Sequence, residues 1–480
     1  MFLIDNIYID GQFVTPKGSE LFDLYNPATG AVIGQVRLAD EEDTRLAIAA
    51  AKRAFPAFAK TTREERLTLL RRLSDAVAAK ADTLTDAVVL EYGGPIGLMR
   101  GWMQMAAKSF LNMAEALEEF EFTRQMKTAE VVMQPIGVIG IITPWNSNIG
   151  FICSKFATAI AAGCTVVIKP SEMSALQTKL ITECLHEAGV PVGVLNIVTG
   201  RGDVVGAELT RHRDIAKISF TGSTLVGKTI LRDGAETMKR VTLELGGKSP
   251  SIILPDADLD QAVPLAVAAG FMNSGQACIA GTRILVPEEK AAEISARIAD
   301  AVAAVPVKAP TDETSKIGPM VSQKQFERVQ RYIRRGIEEG AQLLAGGEGN
   351  PEGLGGYFVK PTVFGGVRND MTIAREEIFG PVLSILTYRS VEEAIEIAND
   401  TDYGLQAYVF GQDFEAARAI ADRIDAGRVL INGLYHEPAA PFGGFKQSGI
   451  GREFGAFGIE AHLEPKAVLA RPADPTFTRA

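Results

Sequence analysis

Three residues suited to acyl chemistry stand in turns of small residues: Cys278 in "GQACIAGTR", Glu244 in "RVTLELGGKSP" and Asn146 in "GVIGIITPWN". Gly275, Ala277, Ala280 and Gly281 pack the backbone around Cys278 closely yet leave it approachable. The cysteine is then either a small apolar core residue or a nucleophile whose thiolate is favoured by its surroundings. Glu244 closes an apolar run just before two glycines, as a solvated strand-end acid or as a general base in an enclosed site. Asn146 follows a β-branched run, where its amide can cap a helix or donate to a developing oxyanion. "SFTGST", Ser219 to Thr224, reads as a strand-turn-helix whose free N–H groups suit a pyrophosphate, whereas "TGRGDVVG" is not the GxGxxG fingerprint. None of these signals decides alone.

The elements that must position them are legible in the periodicity. From about Val131, Val/Ile-rich runs ("GVIGIIT", "CTVVIKP", "VLNIVTG", "IAKISFT", "RVTLELGG") alternate with helical patterns, which predicts a doubly wound parallel sheet covered on both faces. Glu41 to Phe58 and Thr62 to Tyr92 read as long amphipathic helices packed on one face of that sheet. A second alternating block, about Ser249 to Gly444, carries "SIILP", "RILVP", "PTVFGGV", "VLSILTY" and "RVLING" and predicts a second α/β domain. "MFLIDNIYIDGQFV" reads as a hairpin turning at Asp10-Gly11, and Gly346 to Phe358 as an exposed loop. The tail "HLEPKAVLARPADP" offers a terminal strand without a partner, a device that often pairs with another chain.

Composition narrows the class. A chain of 480 residues calls for two or three domains. Its net charge of -10, with both signs mixed and no basic stripe, argues against nucleic acid. No apolar run approaches a membrane span, and the acidic N-terminus does not read as a secretory signal, so a cytoplasmic location is expected. Four cysteines without a CxxC pair and four scattered histidines predict neither a disulfide framework nor a metal site.

Taken in order, "PWN", "KPSE", "SFTGST", "LELGGKSP", "GQACIAGTR", "EEIFGPV" and "PFGGFKQSGIGRE" resemble the aldehyde dehydrogenase superfamily over nearly the whole chain, and the separation of Glu244 from Cys278 is that of its hydrolytic members. The resemblance implies an α/β fold with a Rossmann-type cofactor domain (1–115 and 136–247), a second α/β catalytic domain (248–448) and a small β oligomerisation element (116–135 and 461–480), assembled as a homodimer or homotetramer. It casts Cys278 as the nucleophile that forms a thiohemiacetal, Asn146 and the Cys278 N–H as the oxyanion hole, Glu244 as the base that activates water on the thioester, and Lys155 as a proton relay. NAD is the implied cofactor. Lys169 and Glu172 match the adenine ribose contacts, Ser223 the pyrophosphate contact, and Glu377 and Phe379 the nicotinamide ribose and ring contacts, with Trp145, Ser171, Gly202, Phe220, Gly222, Leu245 and Gly246 also implied at the cofactor. Glu172 favours NAD because a carboxylate repels a 2′-phosphate, although NADP stays open.

Ser147, Met272, Ala277, Ile279, Tyr435, His436 and Phe442 fall at implied substrate positions. Ser147 and Asn148 replace residues that are often apolar in relatives, so a polar or nitrogen-bearing aldehyde is expected. Two alternatives stand beside hydrolytic oxidation. A CoA-acylating semialdehyde dehydrogenase is opposed by Glu244, and a catalytically weak structural relative by Asn146, Glu244 and Cys278 together. A thiol hydrolase lacks a histidine in the motif region to act as its base.

Overall fold

The computed structural model describes residues 2–469. Its first large sheet holds five parallel strands, β1 (Val138–Ile142), β2 (Thr165–Lys169), β3 (Leu195–Ile197), β4 (Ile215–Thr221) and β5 (Arg240–Glu244), in the spatial order β3-β2-β1-β4-β5. Every residue of β1 and β2 is buried, as a sheet covered on both faces requires. The order reverses between β1 and β4, which makes the carboxyl ends of these strands the binding crevice of a doubly wound sheet. Beyond β3, the predicted hairpin adds Ile7–Ile9 and Gln12–Val14, and its turn residues Asp10 and Gly11 take φ of 54° and 79°. Two successive positive φ values match the right-handed twist of the strands they join.

Helix Glu41–Phe58 starts at a reciprocal cap between Asp40 and Asp43 and packs on β2 and β3, as predicted. The single helix predicted from Thr62 to Tyr92 is instead two, Arg63–Ala79 and Ala81–Glu91, because Lys80 leaves the helical region (φ -109°, ψ 10°). The first of them packs chiefly on helix Ile96–Glu119 rather than on the sheet. Its stripe of Leu67, Leu70, Leu73 and Val77 shares a core with Met103, Phe110 and Leu117.

The second large sheet comprises β6 (Pro250–Ile253), β7 (Arg283–Pro287), β8 (Thr362–Gly365), β9 (Val382–Tyr388), β10 (Gln406–Phe410) and β11 (Arg428–Ile431), all parallel in the order β8-β9-β7-β6-β10-β11. An antiparallel strand, Gln342–Ala345, flanks β8; neither it nor β10 was among the predicted strands. The predicted C-terminal strand, Leu463–Leu469, is not unpartnered: it pairs antiparallel with Ala129–Pro135, which in turn pairs with Thr123–Gln125. Its other edge has no partner among the described residues, and the rest of the predicted tail lies outside them. Gly346 to Phe358 holds no helix or strand, although Phe358 itself is buried. Among the described residues no helix is long and apolar enough to cross a membrane.

Candidate active site

The two large sheets are joined by the short link from β5 to β6, and the loop before β7 crosses that link. Arg283 donates its N–H to the Ser249 carbonyl at 3.3 Å, and a Cβ built on Gly247 would lie 2.1 Å from the Cys278 carbonyl oxygen. The loop is held in an unusual shape: Asn273, Ser274 and Gly275 take φ of 52°, 60° and 72° in succession. For the two non-glycine residues this costs about 1–2 kcal/mol each. Neighbouring bonds hold them there. Ser274 Oγ accepts the Gly318 N–H at 2.9 Å, while the Gln276 amide donates to the Tyr92 hydroxyl (3.2 Å) and the Pro319 carbonyl (3.3 Å) and accepts the Val321 N–H (3.0 Å).

Asn146 leaves the end of β1 and donates its side-chain amide to the Gln276 carbonyl at 2.8 Å. Asn273 donates to the Asn146 carbonyl at 3.0 Å, so the turn after β1 and the cysteine loop are tied twice. Asn146 does not cap a helix: Ser147 occupies that position before helix Asn148–Ala162, without a side-chain bond. One hydrogen of the Asn146 amide is thereby fixed and the other stays free to donate. Asn148 is buried, accepts from the Thr143 hydroxyl (3.2 Å) and donates to the Thr178 hydroxyl (2.9 Å), and with Asn146 and Ser147 it lines a small cavity that Trp102 and Trp145 also line.

Cys278 is the one cysteine of the four, all within the described residues, that is partly exposed. Its thiol is pushed up to about 12, first by burial, then by the Glu377 and Glu244 carboxylates, against the pull of the Cys278 and Ile279 backbone N–H groups. Burial and the two carboxylates thus oppose the lowered thiolate that one reading of the sequence offered, and a base beside the thiol would favour its deprotonation. Glu244 is 2 % exposed and neither carboxylate oxygen has a hydrogen-bond partner. Burial, and after it the charge of Glu453, holds its pKa well above the ordinary value, with Lys155 and Arg452 opposing. Gly443 makes room for it, since a Cβ there would stand 2.9 Å from Glu244 Oε1.

Behind Glu244 lies a charged chain that contains Lys155, expected as a proton relay, and adds Glu453, which the sequence reading did not single out. Lys155, on helix Asn148–Ala162, donates to Ser219 Oγ at 3.0 Å and pairs with Glu453, the two side chains only 2 % and 12 % exposed. Ser219 in turn donates to Glu453 at 3.3 Å. The signal for Glu453 was present, as the last residue of "PFGGFKQSGIGRE", but nothing local distinguishes it from a surface acid.

The other residues of interest line the carboxyl ends of the first sheet. Lys169 closes β2 and donates to the Pro170 carbonyl (3.0 Å) and to Glu172 (3.2 Å); Ser171 Oγ accepts the Met173 N–H at 3.3 Å. Gly222 donates its N–H to the Glu244 carbonyl at 3.0 Å, and Ser223 caps helix Thr224–Gly234. Phe220 packs under Gly222 and Leu245 against Gly227, while nothing lies within 4 Å of a Cβ added at Gly202. Glu377 accepts the Gly247 N–H at 3.0 Å, and Phe379 meets the Trp145 ring edge-on at 5.4 Å. A Cβ at Gly246 would stand 2.7 Å from Glu377 Oε2, so this cradle admits backbone only. Glycine turns, a capped helix start and carboxylates at the strand ends can hold an elongated ligand with sugar hydroxyls and a pyrophosphate.

Of the residues expected at the substrate, Ala277 and Ile279 flank Cys278 and are half-buried, as is Met272 ahead of the left-handed turn. His436 and Phe442 both pack on Phe454, with centroids 5.4 Å and 5.6 Å apart. Tyr435 is 61 % exposed and its hydroxyl reaches only the Ile431 carbonyl at 3.4 Å.

A dinucleotide-type sheet facing a cysteine loop carried by a second parallel sheet is the architecture of a thiol-dependent oxidoreductase. The family model described as "Aldehyde dehydrogenase family" matches residues 13–468, and the chain belongs to that family. It is 45 % identical over 465 residues to a 3-succinoylsemialdehyde-pyridine dehydrogenase of a Pseudomonas species, covering 96 % of this chain and 98 % of the relative. Among solved structures it resembles a cysteine-to-alanine mutant of aldehyde dehydrogenase C from Pseudomonas syringae, complexed with NAD+ and octanal, at TM-score 0.96 and 43 % identity over 98 % of this chain and 97 % of that one. An NAD+ complex of aldehyde dehydrogenase from Bacillus cereus gives 0.94 and 40 %, covering 97 % and 96 %.

Proposed function

We propose that the protein oxidises an aldehyde to a carboxylic acid with NAD, through acylation of Cys278 and hydrolysis of the thioester. The observation that carries the hydrolytic step is the buried Glu244 carboxylate, which has no hydrogen-bond partner and is held above its ordinary pKa. Such a carboxylate is a stronger base than an exposed one and is free to accept a proton. Cys278 loses its proton to this base and adds to the carbonyl carbon, and the resulting oxyanion accepts hydrogen bonds from the free Asn146 amide hydrogen and the Cys278 N–H. NAD, when bound, supplies the hydride acceptor. Loss of hydride leaves a thioester on Cys278, which a water deprotonated by Glu244 attacks, releasing the acid and restoring the thiol. Glu453, Lys155 and Ser219 offer the proton on Glu244 a route away from the reacting atoms, supported by their mutual hydrogen bonds.

For the cofactor, Lys169, Ser171 and Glu172 are assigned to the adenine ribose, Gly202, Phe220, Gly222 and Ser223 to the pyrophosphate, and Trp145, Leu245, Gly246, Glu377 and Phe379 to the nicotinamide end. Support comes from their position at the strand ends and from the backbone-only cradle at Gly246. CoA acylation is not favoured, because a thioester passed to CoA would need no base at Glu244. One relative is named for a succinoylsemialdehyde-pyridine and one solved neighbour is complexed with octanal, so neither substrate transfers by name. The division into 1–115 with 136–247, 248–448, and 116–135 with 461–480 is supported by the four sheets of the described residues falling largely within these segments. A cytoplasmic setting is supported by four free cysteines.

The test is Glu244→Gln in stopped flow. A burst near one NADH per site persists, reached more slowly, while steady turnover falls by a larger factor, at least about a hundredfold. Steady turnover unchanged from the native protein would show that Glu244 does not serve deacylation, and a burst at the native rate would show that it does not deprotonate Cys278.

A further inference from the structure

We propose that Arg428 and His436 form an anion-binding subsite at the outer end of the substrate site, so that the preferred substrate is an aldehyde bearing a carboxylate at its far end; this rests on the aldehyde oxidation proposed above. Arg428 opens β11 in register with Gln406 of β10, on the sheet face that also carries Tyr408, two residues further along. Tyr408 donates its hydroxyl to the Ile279 carbonyl at 2.9 Å and accepts from the Gln406 amide. Arg428 thus sits one row of side chains from the loop that carries Cys278. Its guanidinium carbon lies 5.6 Å over the ring of Phe442, and Nη1 approaches His436 Nδ1 at 3.4 Å.

That arrangement leaves donors without acceptors. Arg428 is half-buried and forms no ion pair among the described residues, and of its five N–H groups only the one facing His436 has a protein partner. With Nδ1 accepting from Arg428, His436 is neutral and carries its hydrogen on Nε2, a second donor at the same place. His436 is exposed, yet partial desolvation and then the Arg428 charge hold its imidazole below the ordinary pKa, consistent with that tautomer. Asp425, the nearest acid in sequence, pairs with Lys446 at 3.2 Å, and Glu437 beside His436 is exposed and accepts the Ala439 N–H at 3.0 Å, so neither forms an ion pair with the arginine. A guanidinium stacked on the Phe442 ring, partly removed from water and presenting a planar fork of unused N–H groups, matches a carboxylate in charge and in geometry.

The experiment compares aldehydes matched in length: butanal with 4-oxobutanoate, and hexanal with 6-oxohexanoate, each scored for kcat and KM by NADH formation. The native protein is expected to favour the carboxylates by at least about tenfold in kcat/KM, carried by KM. Arg428→Gln should bring that ratio to about one, Arg428→Lys should retain part of it, and competitive inhibition by succinate should weaken about tenfold in Arg428→Gln. A ratio near one in the native protein overturns the subsite. So does an equal loss for both members of each pair in Arg428→Gln, which would mean that the arginine only supports Phe442. A preference for a neutral keto-aldehyde that Arg428→Gln removes, without any for carboxylates, overturns the carboxylate assignment. Failure to oxidise either member of a pair would instead overturn aldehyde oxidation itself.

Discussion

At Cys278 two opposing influences meet, and their balance can be measured. Burial and the carboxylates of Glu377 and Glu244 push the thiol up to about 12, and two backbone N–H groups pull it down. Below its pKa the thiolate fraction rises tenfold per pH unit, so alkylation of the cofactor-free protein by iodoacetamide is expected to accelerate about tenfold per unit from pH 7 to 9 without levelling off. The other three cysteines are buried, so one label per chain reports this residue. Glu377→Gln removes a repelling charge and should speed alkylation at fixed pH. A plateau by pH 8 would show that the N–H groups outweigh burial. The same residue shows what the sequence could and could not reveal. That Cys278, Glu244 and Asn146 converge was legible from motif order, whereas the choice between a thiolate and a thiol depends on how deeply the loop is covered, which no local pattern states. Glu453 and Arg428 escaped for a related reason: each acquires its meaning from a partner hundreds of positions away or on a neighbouring strand.

Among the elements, strands with continuous Val/Ile runs and the Asp10-Gly11 hairpin were readable because their determinants are local. The break at Lys80 was not, since neither glycine nor proline marks it and its neighbours Ala78, Ala79 and Ala81 favour helix. The cysteine loop is the element on which chemistry depends most, and its shape is set by contact as well as by conformation. Gly275 takes φ of 72°, and a Cβ there would lie 2.1 Å from the Gly380 carbonyl oxygen. Gly340 takes φ of 87° with nothing within 4 Å of an added Cβ. Gly340→Ala should therefore lose only the left-handed preference, about 1 kcal/mol, whereas Gly275→Ala must also move backbone and should lose at least about 3 kcal/mol. Urea midpoints measure the difference, and kcat should fall only in the second variant. Equal midpoints would mean that the loop accommodates the methyl group and is not clamped as described.

For the whole molecule, two surfaces remain unaccounted for by a single chain. Strand Leu463–Leu469 buries only its first residue and keeps one free edge among the described residues, an arrangement that invites pairing with another chain. Separately, helix Thr224–Gly234 and the turn after it expose Leu225 (76 %), Val226 (45 %) and Met238 (88 %), apolar side chains that a monomer would leave in water. Two self-complementary surfaces suffice to build a dimer through one and a tetramer through both. Sedimentation of the full chain is expected to give at least twice the 51.4 kDa of one subunit. A chain ending at His462 should sediment as a smaller assembly, because removing the strand also uncovers Ala129–Pro135 and destroys the shape of that edge. Leu225→Glu combined with Met238→Glu should disrupt the other contact without touching the strand, so the two changes together should yield monomers. A full chain that already sediments at one subunit mass would leave both surfaces without the role argued for them. An unchanged assembly after truncation would assign association to the helix alone.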